Sequence, residues 1–286
     1  MEGVYVPLIT PFSEDGAPAL GVLEKLAVEC LHAGATGLVA LGTTGEPASL
    51  SDAEREAVLD VVAGVCRDTG APLLVGANTP GRLAAVPTGA AAALTLVPPF
   101  LRPGEDGVVA YFEALAAVSP VPLVVYHVPY RTGQPLTAAT LRRLAAIEQV
   151  IGVKYATGAV DAEAVALLAD PPPGFAVLCG DDTMLSPMLA LGASGGILAS
   201  AHLQTAAFVQ LVAAWRAGDV ARARPLGRRL ARLSAAVFAE PNPTVVKAAL
   251  HAAGRIPTPD VRLPLLPAST AAVDEVAPYL YGSLLE

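Results

Sequence analysis

Lys154 is one of three lysines in a chain with fifteen arginines, and it lies in the apolar run Gln149-Val150-Ile151-Gly152-Val153-Lys154-Tyr155-Ala156-Thr157-Gly158. A primary amine taken out of water loses stability as an ammonium, so a neutral amine able to attack a carbonyl carbon becomes accessible near pH 7. A Schiff-base lysine is one reading. The other is a strand-end lysine whose stem lies on apolar surface while its ammonium reaches solvent. Tyr126-His127-Val128-Pro129-Tyr130-Arg131-Thr132-Gly133 supplies a phenol suited to proton transfer and a guanidinium suited to a carboxylate. Tyr126 could equally be a buried structural tyrosine with its hydroxyl satisfied. In Gly42-Thr43-Thr44-Gly45-Glu46 the glycines permit a tight turn, and two adjacent hydroxyls and amides can bind a carboxylate or simply cap a helix. Asp181 and Asp182, after Gly180, read as helix N-cap groups rather than catalytic acids, and Gly195-Gly196-Ile197 leaves room for a ligand beside the backbone.

These residues need a scaffold that gathers them. Apolar runs at Val4–Ile9, Gly37–Leu41, Pro72–Gly76, Ala93–Val97, Val121–His127, Val150–Tyr155, Phe175–Cys179 and Gly196–Ala199 alternate with alanine-rich helical stretches. Most are continuously apolar, as strands covered on both faces must be, so parallel pairing through βαβ crossovers follows. Eight such units predict an α/β fold, a closed (β/α)8 TIM barrel over residues 1–201. No glycine-rich dinucleotide or phosphate loop follows an early strand, which disfavours a doubly wound sheet. Residues 202–286 carry no strand signal and read as a C-terminal helical extension with helices near 203–217, 220–239, 244–253 and 273–279. Barrel active sites gather at the C-terminal strand ends, and the polar motifs above fall there.

Composition narrows the partners. With 26 acidic and 18 basic residues the net charge is −8, and the basic stretch Arg222–Arg232 has the spacing of a solvated helix face or subunit contact. No nucleic-acid partner is expected. Three scattered cysteines suit a reducing cytoplasm, and neither a leader nor a membrane-spanning run is expected.

The ordered motifs Pro7-Leu8-Ile9-Thr10-Pro11-Phe12, Gly42–Glu46, Tyr126–Pro129 with Arg131–Gly133, Gly152-Val153-Lys154, Gly180-Asp181-Asp182 and Glu240-Pro241-Asn242-Pro243 ahead of Val246-Lys247 span nearly the whole chain. Together they resemble the dihydrodipicolinate synthase/N-acetylneuraminate lyase family of pyruvate-dependent class I aldolases. The resemblance implies that Lys154 forms an imine with pyruvate, Tyr126 shuttles protons with a threonine hydroxyl such as Thr43 in relay, Thr43 and Thr44 hold the pyruvate carboxylate, and the Ile197 backbone contacts pyruvate. An imine draws electrons better than a ketone, so its methyl carbon loses a proton to give an enamine that adds to an aldehyde. That route calls for neither metal nor organic cofactor, and His32, His127, His202 and His251 show no ligand spacing. Lys25 reads as exposed on the first helix, and Lys247 as part of a helix beyond the barrel.

Arg131-Thr132-Gly133 resembles the synthase branch, where the arginine binds the carboxylate of aspartate semialdehyde. Pro99 and Phe100 stand where the family carries two tyrosines, the second of which joins the relay of a neighbouring subunit. Asp52, Arg55 and Arg82 stand at the family's lysine-inhibition site, so lysine feedback is not expected. The leading expectation is therefore a synthase condensing pyruvate with aspartate semialdehyde, in a homotetramer or homodimer. The alternatives are a retro-aldolase or dehydratase of a 2-keto-3-deoxy sugar acid or 4-hydroxy-2-oxoglutarate, and a non-catalytic keto-acid-binding paralogue.

Overall fold

The computed structural model describes residues 1–280. Eight parallel strands close into a barrel in sequence order: β1 (Gly3–Pro7), β2 (Gly37–Ala40), β3 (Leu73–Gly76), β4 (Ala92–Leu96), β5 (Leu123–His127), β6 (Val150–Tyr155), β7 (Ala176–Cys179) and β8 (Gly195–Ile197). The ring is completed where β8 pairs with β1, Tyr5 opposite Ile197. The fifth strand begins two residues later than its apolar run, because Pro122 has no N–H to donate and only its carbonyl joins the sheet, accepting from Ala93.

Side chains alternate across this sheet. Tyr5, Val39, Leu74, Leu94, Val124, Tyr126, Leu178 and Ile197 fill the barrel interior, while Leu38, Leu123, Val125, Val153 and Tyr155 face the surrounding helices. Both faces are covered, which is why the runs lack a polar alternation. The helices are α1 (Leu20–His32), α2 (Asp52–Thr69), α3 (Pro80–Ala84), α4 (Gly104–Ala116), the single turn α5 (Pro129–Thr132), α6 (Ala138–Ala145), α7 (Ala162–Ala169), α8 (Leu185–Ala190), α9 (Ala201–Arg216), α10 (Val220–Val237), α11 (Thr244–Ala252) and α12 (Thr270–Val276). A capping box starts α2: Ser51 Oγ accepts from Glu54 N, and Glu54 reaches back to Ser51 N. Pro87 restricts Val86 to non-helical backbone, in keeping with an α3 of five residues.

Helix α9 starts at the 201/202 division drawn from the sequence, and it packs on β1 and α1 as part of the barrel's helical layer. Helices α10 to α12 pack on one another and on α8 and α9. Among the described residues no helix is long and apolar enough to cross a membrane. Cys30, Cys66 and Cys179 are free and buried.

Candidate active site

Strand pairing sets the centre of the site. Tyr126 on β5 and Lys154 on β6 stand opposite each other in register, near the C-terminal ends of their strands. Both are buried, and Lys154 Nζ lies 4.4 Å from the centroid of the Tyr126 ring. Lys154 is only 7% exposed, so the solvated strand-end alternative is excluded by burial. Its stem runs beside Gly180, where a Cβ would come within 2.8 Å of Lys154 Cγ and 2.9 Å of Cε. Gly180 therefore makes room for the amine.

The aspartates after Gly180 do not cap a helix, contrary to the expectation from sequence. Asp181 Oδ2 accepts from Gly158 N at 2.6 Å, and Asp182 Oδ2 accepts from Ser200 N at 2.6 Å, which ties β7 to the loops after β6 and β8. A turn of 3-10 helix, Asp182–Met184, separates them from α8, whose N-cap is Met184, so neither aspartate stands where it could cap that helix. Burial raises both carboxyls, Asp182 to about 6, with Lys154 among the groups that oppose the rise. Asp182 Oδ1 is buried without a hydrogen-bond partner among the described residues.

Thr43 and Thr44 form a 3-10 turn, Thr43–Gly45, between β2 and α2. Thr44 is buried, and its Oγ1 accepts from Asn242 Nδ2 at 2.9 Å. With that lone pair engaged, its own O–H is left to donate to a ligand. Glu46, next in the motif, is fully buried against Lys247, with Nζ to Oε1 at 2.5 Å. Burial lowers the Lys247 ammonium to about 8 despite the partner carboxylate. Arg131, in α5 after β5, is exposed at the mouth of the cleft, its guanidinium 5.7 Å from the Tyr130 ring centroid. Ile197 on β8 is buried in the floor. Lys154, Tyr126, Thr43, Thr44, Arg131 and Ile197 thus line one cleft, joined by Asp181, Asp182 and Asn242. A nucleophilic amine, a phenol, two hydroxyls and a guanidinium together suit a keto acid that is to be held by its carboxylate and attacked at its carbonyl.

A sequence model described as the dihydrodipicolinate synthetase family matches residues 1–281. The chain belongs to this family. It is 38% identical over 274 residues to the 4-hydroxy-tetrahydrodipicolinate synthase of Methanothrix thermoacetophila, covering 93% of this chain and 92% of that one. Among solved structures it is similar to a monomeric dihydrodipicolinate synthase variant, with 30% identity and a TM-score of 0.92 over 98% of this chain and 96% of that one. It is also similar to the chloride-inhibited dihydrodipicolinate synthase of Acinetobacter baumannii complexed with pyruvate, with 33% identity and a TM-score of 0.91 over 98% and 97% of the two chains.

Within this family member, sequence reasoning marked Asn242 and Lys247 as parts of a motif but missed what they hold. Asn242 precedes α11 and Lys247 lies within it, far along the chain from Thr44 and Glu46, and neither has local spacing that ties it to them. The signal was an apolar helix carrying a single lysine, Thr244–Ala252, whose charge needed a buried partner. Phe100 departs in the other direction. It is 89% exposed and does not line the cleft of its own chain.

Proposed function

We propose that this family member is a 4-hydroxy-tetrahydrodipicolinate synthase-like lyase that condenses pyruvate with aspartate semialdehyde through an imine at Lys154. The observation that carries the reading is the register pairing of Tyr126 with Lys154, which sets a phenol beside a buried amine in a cleft also lined by Thr43, Thr44 and Arg131. Thr43 and Thr44 hold the pyruvate carboxylate. The Lys154 amine adds to C2, and Tyr126, with Thr43 as the next hydroxyl, moves the protons that let the carbinolamine lose water. Loss of a methyl proton gives the enamine. Its C3 bonds to the aldehyde carbon while the aldehyde oxygen takes up a proton. Arg131 at the cleft mouth pairs with the aldehyde substrate's carboxylate. The substrate's own amine then attacks the imine carbon, closing the ring and releasing Lys154.

The protein is further proposed to act in the cytoplasm as a homodimer or homotetramer, with no metal or organic cofactor. Borohydride treatment in the presence of pyruvate is expected to fix a reduced pyruvyl group on Lys154, detected by mass spectrometry, and Lys154→Arg to abolish it because a guanidinium is not a usable nucleophile near neutral pH. Labelling at another residue would refute the assignment.

A further inference from the structure

The reaction outlined above gives Lys247 no task, yet this lysine is the most completely buried cation near the cleft, with no side-chain exposure. Its Nζ donates to Glu46 Oε1 at 2.5 Å and to the Asp260 carbonyl at 2.8 Å, and it lies 3.8 Å from the Phe12 ring centroid. The second Glu46 oxygen accepts from Arg262 N at 2.8 Å. Both carboxylate oxygens are thus fixed by the C-terminal extension. The residue they fix has a left-handed backbone, φ 53°, between the turns Thr43–Gly45 and Pro47–Ser49. A residue with a Cβ holds that conformation only when its surroundings over-determine it.

Stability alone does not explain the pair. Two charges removed from water lose about as much solvation as they gain in attraction, and apolar residues of similar volume usually do as well. Geometry does explain it. Asn242 precedes α11 and holds Thr44, Lys247 within α11 holds Glu46, and Thr10 Oγ1 donates to the Gly45 carbonyl lying between them at 2.8 Å. One short stretch of chain therefore grips the threonine turn at two points.

We propose that Lys247 is a positioning residue: by clamping Glu46 it holds the Thr43–Gly45 turn where the Thr44 hydroxyl, engaged by Asn242, presents its proton to the keto-acid carboxylate in the cleft of Lys154. This rests on the reading of Lys154 as the imine lysine.

The double variant Glu46→Gln/Lys247→Met removes both charges at nearly constant volume. It is expected to fold with a Tm close to the parent's and to be labelled at Lys154 at saturating pyruvate. Its half-saturating pyruvate concentration rises roughly ten-fold, while KM for aspartate semialdehyde moves less than about two-fold. A lowered Tm with unchanged pyruvate saturation would overturn the proposal and leave the pair a stabilising contact. Should the double variant not fold, Glu46→Gln alone, which keeps the side-chain shape and one acceptor but removes the charge and sets an amide N–H against Arg262 N, must show a selective rise in the same direction. If the parent itself takes no pyruvyl label, the Lys154 reading fails separately. The turn then decides the matter: a crystal structure of the variant is expected to show Thr44 out of reach of Asn242, and an undisturbed Thr43–Gly45 turn would refute the positioning role.

Discussion

Arg131 and Gly180 show how single residues divide the work of the site. Arg131 is exposed, so the pairing proposed for it with a substrate carboxylate would be partly screened, and its loss is expected to cost the one to two orders of magnitude of a charged hydrogen bond rather than that of a dry ion pair. Arg131→Ala is expected to raise KM for aspartate semialdehyde roughly ten- to hundred-fold and to leave borohydride labelling with pyruvate near parent level. Steady-state kinetics in both substrates check this, and equal damage to pyruvate would assign Arg131 a structural role. Gly180 acts by having no side chain. A methyl there would meet Lys154 Cγ and Cε and also Ala156 Cβ at 2.9 Å, so the lysine stem would have to move. Since misplacing a reacting group by about 1 Å can cost up to ~10²-fold, Gly180→Ala is expected to slow single-turnover imine formation at least ten-fold, with the fold intact by circular dichroism. An unchanged rate would mean that the stem has a second productive path.

At the level of elements, the outer face of β5 and β6 carries a polar cluster that the cleft does not use. Tyr155 donates to Asp161 at 2.6 Å, the same Asp161 oxygen caps α7 by accepting from Ala164 N, and the His127 ring packs edge-on against Tyr155 at 5.3 Å. Burial lowers His127 to about 4, only partly opposed by Asp161 and Glu105, and its Nδ1 has no partner among the described residues. A histidine that stays neutral when folded but protonates near 6.5 when unfolded contributes stability above pH 6.5, and that stability is lost as pH falls through about 4. The loss is roughly 3 kcal/mol across this window, at about 1.4 kcal/mol per pH unit. His202, buried and also lowered to about 4, adds a loss of the same sign. Asp182, raised to about 6, acts oppositely: its contribution is present below 3.8 and lost as pH rises through 6. The useful comparison is therefore between variant and parent. In urea unfolding at pH 4.5 and 7, His127→Phe is expected to lose about 2 kcal/mol less than the parent on acidification, and an identical slope would contradict the buried neutral imidazole.

At the level of the whole molecule, the loop after β4 turns apolar side chains outward. Phe100 and Leu101 are 89% and 78% exposed, and positive φ angles at Phe100 and Arg102 hold them there while Phe100 N donates to the Thr132 carbonyl. The loop is thereby anchored to the turn that carries Arg131. Exposed apolar residues on such a conformation are explained if a second copy covers them. Phe100→Asp/Leu101→Asp is expected to shift the sedimenting species toward monomer and to lower kcat with it. An unchanged mass would place any subunit contact elsewhere.

The barrel was legible because its strands are buried on both faces, so a run such as Val150–Tyr155 announces itself without reference to the rest of the chain. Residue type likewise marked Lys154 and Tyr126, since a lysine inside such a run contradicts its surroundings. What the sequence did not contain was distance between remote segments. Asp181 and Asp182 read as caps because helix ends are local, yet their carboxylates bind Gly158 N and Ser200 N across the barrel rim. Glu46 and Lys247 are 201 positions apart and Asn242 and Thr44 are 198 apart, and neither pair shares a periodicity. Local propensity and patterning act over a few residues, whereas the partner of a buried charge is fixed by how helices pack on the closed barrel. The chemistry was therefore written in the chain, and the placement of its threonine turn was decided only by the tertiary fold.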